Sequence, residues 1–98
     1  MDIHCCKLMV DFLNDPIVPI IYYPHLREYN ILLKRRSGGL QGIDYCPWCG
    51  IKLPTSVRDE YFRILFDELH LEPELKETET PGLPEEFKTD EWWKKRGL

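Results

Sequence analysis

Ninety-eight residues, 43% hydrophobic and 31% charged, are ordinary globular material sized for one core, which excludes large multi-domain enzymes and disordered or fibrous chains. Thirteen Lys and Arg against seventeen Asp and Glu leave a formal charge of −4. That sign opposes the counterion release behind most DNA and RNA binding, so nucleic acid is not an expected partner. The longest uncharged stretch, 16–26, is proline-broken and too short for a bilayer, which needs about 20 apolar residues, so no membrane partner is expected.

Residues 1–50 read as strand-rich. Asp2 and Asp11 flank an N-terminal stretch without the basic cap and long apolar run of an export signal, so a cytoplasmic location is expected. Asn14-Asp15-Pro16 has turn chemistry. β-rich runs follow at 17–23, 29–34 and 40–45, separated by Pro24 and by Ser37-Gly38-Gly39. The last two runs read as a hairpin, with Gly38 and Gly39 supplying the tight reversal and Arg35 and Arg36 at its solvated tip.

The period changes after Gly50. Phe62, Leu65, Phe66 and Leu69 fall at i, i+3, i+4 and i+7 and predict one main amphipathic helix. Ser56 is the expected N-cap, and Asp59 and Glu60 lie in the first turn, where acids suit the helix dipole. Residues 72–83 are acidic and turn-rich and read as a surface linker. Thr89-Asp90-Glu91, two tryptophans, three basic residues and Gly97 predict a short capped helix, with at least one of Trp92 and Trp93 docked on the body. The chain thus divides into an α+β domain at 1–71 and an acidic arm at 72–98 that packs back through its tryptophans.

The cysteines carry the strongest signal. Cys46-Pro47-Trp48-Cys49-Gly50 is a C-x-x-C-G knuckle, whose geometry turns two thiolates toward one tetrahedral ion while backbone amides face the sulfurs. Two more ligands are needed, and His4-Cys5-Cys6 supplies the candidates. In extended chain, side chains alternate, so His4 and Cys6 would share a side and Cys5 would point away, giving a Cys3His site. A kink at Cys5-Cys6 would instead bring in all four thiols, Cys5, Cys6, Cys46 and Cys49; both sets stay open. The expected metal is a structural Zn2+ in a closed shell, whose binding energy becomes folding energy. A cytosolic setting favours thiols or metal ligands over disulfides. The rival reading of the knuckle is a redox dithiol, but Gly50 and Pro54 delay the following helix and no βαβ unit precedes it.

The other candidates point to structure. His25 and His70 are isolated, and Asp59, Glu60, Asp67 and Glu68 read as a solvated helix face. Trp48, Trp92 and Trp93 read as core or docking anchors. No Ser-His-Asp order, phosphate loop or dinucleotide fingerprint appears, and no catalytic residue is expected.

HCCKLM near the start, DYCPWCGIKLPTSVRDEYF in the middle and LPEEFKTDEWW near the end resemble a family of small, uncharacterised bacterial proteins with HCC and CPWCG-x-KLP-x-S-x-R-D motifs. The resemblance spans nearly the whole chain. It implies a stand-alone zinc-ribbon-like protein with His4, Cys5, Cys6, Cys46 and Cys49 as the matching metal candidates, and it brings no activity with it.

The expected architecture is α+β: a small antiparallel β-sheet carrying the zinc knuckle, one main helix and a short C-terminal helix. The expected function is a non-enzymatic module that binds another protein through the helix face or the acidic arm, as a small inhibitor or immunity-type protein does. One alternative is a nucleic-acid-associated zinc ribbon using Arg27, Lys34, Arg35 and Arg36 beside Tyr22, Tyr23 and Tyr29. The other is a thiol oxidoreductase using Cys46 and Cys49, which requires an accessible Cys46 with a lowered pKa.

Overall fold

A computed structural model describes residues 4–33 and 39–98. The expected hairpin tip with Lys34, Arg35, Arg36 and Gly38 lies outside the described residues. The elements run α1 (Lys7–Leu13), β1 (Ile20–Tyr23), β2 (Glu28–Leu32), β3 (Leu40–Gly42), α2 (Arg58–Asp67), 3-10 turns at Glu77–Glu79 and Glu85–Lys88, and α3 (Glu91–Lys95). This is the α+β architecture expected, with a three-stranded antiparallel sheet in the order β1-β2-β3. The chain forms two compact units. The first holds the chain up to Tyr23 and Glu28–Thr55; the second holds Pro24–Arg27 and Ser56–Leu98.

In the first unit, α1 corrects the strand-like reading of the N-terminal segment. Met9 is fully buried and Phe12 and Leu13 are half-buried, an i, i+3, i+4 face of helical rather than strand period. The Cys6 thiol caps the helix by accepting the Met9 N–H, a role usually held by Ser or Asp and therefore easy to overlook in sequence. Past the helix, the Asp15 carboxylate accepts the Ile17 N–H at 2.9 Å, closing the expected Asn14-Asp15-Pro16 turn and aiming the chain into β1.

β1 and β2 pair with Ile20 opposite Ile31 and Tyr22 opposite Tyr29; β2 and β3 pair with Ile31 opposite Gln41. The period of two puts Ile20, Tyr22 and Tyr29 on one face. There Ile20 and Tyr29 join Met9, Cys46 and Leu53 in the core, with Phe12, Tyr22 and Trp48 packed around them.

The second unit is built on aromatics. Tyr61, Ile64 and Leu65 of α2 are fully buried, and Phe66, expected on the apolar stripe, is 53% exposed. The helix is rotated from the expected face because Tyr61 has better partners. Its ring packs against Phe87 and Trp92, and its hydroxyl donates to the Phe87 carbonyl at 3.2 Å, so ring and polar tip are buried together. Val57, not the expected Ser56, takes the N-cap position and makes no side-chain cap bond; the Ser56 hydroxyl, one residue earlier, accepts the Arg58 N–H at 3.1 Å. Along α2, Arg63 pairs with Glu60 and Glu68, as a solvated face would, and the guanidinium holds the Glu60 carboxyl below its ordinary range.

Segment 72–83 is more than the surface linker expected. Thr80 is buried with its hydroxyl accepting the Glu74 N–H at 3.0 Å, and Leu83 is buried as well. Local turn hydrogen bonds satisfy the backbone, which composition alone does not reveal. His25 is buried rather than isolated, with its Nε2 3.8 Å from Glu77. Trp92 is fully buried and donates its indole N–H to the His25 carbonyl at 2.7 Å; Trp93 donates to the Pro24 carbonyl at 2.7 Å beneath the Arg27 guanidinium. Both indoles are therefore anchored within this unit.

Trp92 fills the centre of that packing and also serves a buried carbonyl. Trp92→Ala should cost about 3–5 kcal/mol in urea unfolding. A loss below about 1 kcal/mol would show that the second unit does not depend on this ring.

Candidate metal centre

Two local structures bring the sulfurs together. The first is the bend at residues 4–6 leading into α1, which carries Cys5 and Cys6. The second is the knuckle. Tyr45 bridges Lys52, the Cys46 N–H donates to the Ile51 carbonyl at 2.9 Å, and the Gly50 N–H returns to the Cys46 carbonyl at 2.9 Å. Gly50 has φ +76, a conformation that side chains disfavour, which explains the glycine after the second cysteine.

The sulfurs of Cys5, Cys6, Cys46 and Cys49 all lie within 4.8 Å of one another. Cys5 and Cys49 are 3.6 Å apart and Cys6 and Cys46 are 3.8 Å apart, and all four are free thiols. Zinc bonded tetrahedrally to sulfur at about 2.3 Å places the sulfurs about 3.8 Å from one another, so this spacing fits a tetrahedral ion. Four soft donors with no carboxylate among them suit a thiophilic metal.

Amides surround the sulfurs. The Trp48 and Cys49 N–H groups both donate to Cys46 Sγ at 3.4 Å, and the Met9 N–H donates to Cys6 Sγ at 3.5 Å. Burial opposes ionisation of Cys46, but hydrogen bonds from the Cys49 and Trp48 amides and from the Cys5 and Cys49 thiols together outweigh it and bring its thiol down to about 7. Desolvation within the cluster, with hydrogen bonds from Cys46 and Cys49 behind it, pushes the Cys5 thiol up. The nearby Cys46 sulfur adds a smaller charge repulsion to that rise, which a bound dication would relieve.

His4 stands outside the sulfur group. The alternation expected to pair it with Cys6 and turn Cys5 away does not apply, because residues 4–6 form a bend and not a strand. Its ring meets Tyr22 and Tyr29 edge-on, and its Nδ1 is hydrogen-bonded to the Tyr29 hydroxyl at 2.6 Å. Burial, followed by the charges of Tyr22, Cys5 and Cys46, pushes the Tyr29 phenol up, which keeps it protonated in that bond. Sequence reasoning missed this tyrosine clamp. Its only signal is the strand register that faces Tyr22 with Tyr29.

Tyr29→Phe keeps the ring and deletes the hydroxyl. Unfolding by urea should show a loss of about 1 kcal/mol. An unchanged midpoint would mean the bond to His4 holds nothing in place.

The chain belongs to the family described as Domain of unknown function (DUF6980), which matches residues 2–95. No curated protein and no solved structure matches it.

Proposed function

We propose that this member of the DUF6980 family is a small, non-enzymatic module whose four cysteines hold a structural Zn2+ and which acts by binding another protein. The observation that carries the metal reading is the mutual approach of the four sulfurs to within 4.8 Å, drawn from segments 40 positions apart. Cys5, Cys6, Cys46 and Cys49 are the ligands, and four thiolates close the tetrahedral shell with no position left for water or substrate, so the ion staples rather than catalyses. Reduced thiols of this kind fit a cytoplasmic protein. The 2% exposure of Cys46 weighs against the oxidoreductase alternative, whose attacking thiol must reach a substrate disulfide.

The protein-binding part rests on charge and on exposed apolar groups. Residues 72–90 carry seven acids against two lysines, and Phe66 and Leu75 lie open to solvent. A basic protein surface complements that segment, and electrostatic steering would speed their encounter. The acidic balance disfavours a nucleic-acid partner.

Native mass spectrometry should find one zinc per chain, retained in His4→Ala and lost in Cys5→Ala; chelation should unfold the first unit by circular dichroism. Retention of zinc by Cys5→Ala together with its loss from His4→Ala would replace this ligand set with the histidine one. For the partner, protein captured on the immobilised chain should elute with rising salt and should escape a variant carrying Gln at Glu72, Glu74 and Glu79. Capture that ignores both changes would contradict the acidic segment's role.

A further inference from the structure

The four sulfurs differ in their access to water. Cys46 is 2% exposed and Cys6 is half-buried, whereas Cys5 and Cys49 are both exposed. Cys46 is also restrained by two amides and Cys6 by the α1 cap. The exposed pair is in contact across the cluster at 3.6 Å, with Cys5 in the bend before α1 and Cys49 in the knuckle turn. A disulfide bond is about 2.05 Å long, so side-chain motion of about 1.5 Å would join them. Neither residue lies in a helix or strand whose hydrogen bonds would have to break first.

We propose that Cys5 and Cys49 form an oxidation site for hydrogen peroxide, at which a Cys5–Cys49 disulfide forms and the metal is released. The proposal rests on the zinc reading above. One exposed sulfur of the pair attacks the peroxide; the O–O bond breaks, the sulfur becomes a sulfenic acid, and the departing hydroxide takes a proton to leave as water. The other sulfur attacks the sulfenic sulfur, the S–O bond breaks, and a second hydroxide leaves as water with a second proton. Two thiolates lose two electrons in total and one hydrogen peroxide becomes two waters. With only Cys6 and Cys46 left to hold it, a bound Zn2+ would be released with its charge unchanged, and those two thiolates would take up protons and stay reduced. Loss of the ion removes the staple from the first unit, so the site couples oxidation to folding.

The test uses the zinc-loaded full chain, hydrogen peroxide and a colorimetric zinc chelator, followed by alkylation of free thiols and tryptic mapping. Cleavage after Lys7, Arg36 and Lys52 places Cys5 and Cys6 in one peptide and Cys46 and Cys49 in another. The expected result is one zinc released per disulfide, a cross-link between those two peptides that fragmentation assigns to Cys5 and Cys49, alkylated Cys6 and Cys46, and recovery of zinc binding after dithiothreitol. A link within the knuckle peptide, a link through Cys6, or zinc retained alongside a Cys5–Cys49 disulfide would overturn the proposal while leaving the zinc reading intact. A chain that takes up no zinc before peroxide is added would overturn that reading and this proposal with it.

Discussion

Convergence of four sulfurs is the constraint on which the first unit depends. The segment before α1 and the knuckle after β3 lie 40 positions apart, and their thiols meet at the edge of a core made of Met9, Ile20, Tyr29, Cys46 and Leu53. That core is small, and small cores rarely supply enough stability alone. Cys46 belongs to it and also faces the other sulfurs, so core packing and sulfur placement support each other. A cation at that point would close a long loop and neutralise thiolates that otherwise repel.

The second unit is held by different means. Tyr61, Phe87 and Trp92 pack ring against ring, and each buried polar tip is satisfied by a backbone carbonyl: the Tyr61 hydroxyl by Phe87 and the Trp92 indole by His25. Buried aromatics of this kind supply much apolar area per residue and tolerate burial because their donors are paired. The exposed acids of segment 72–90 are thus displayed on a chain that is itself anchored by Thr80, Leu83 and Phe87. A fixed array of charge is better suited to a specific protein surface than a loose tail, because less ordering entropy is lost on binding.

The sequence was legible where local chemistry decides structure. Turn residues at Asn14-Asp15-Pro16, the strand runs and the glycine of the knuckle all act through neighbours in the chain. α1 escaped notice because its cap is a thiol and its apolar face spans less than two turns. The buried face of α2 was misplaced because hydropathy favours Phe66 over the hydroxyl-bearing Tyr61, and only the positions of Phe87 and Trp92, with a carbonyl for the hydroxyl, reverse that choice. At the site, the knuckle was plain from spacing, whereas the place of His4 was not: the Tyr29 hydroxyl that engages it comes from a strand 25 residues away.

The proposed metal centre is held by sulfur alone. X-ray absorption at the zinc edge, recorded on the protein as purified, measures it directly. Four sulfur scatterers at about 2.3 Å are expected, with no nitrogen or oxygen in the inner shell. A nitrogen or oxygen scatterer at about 2.0–2.1 Å in place of one sulfur, or the absence of bound zinc, would contradict it.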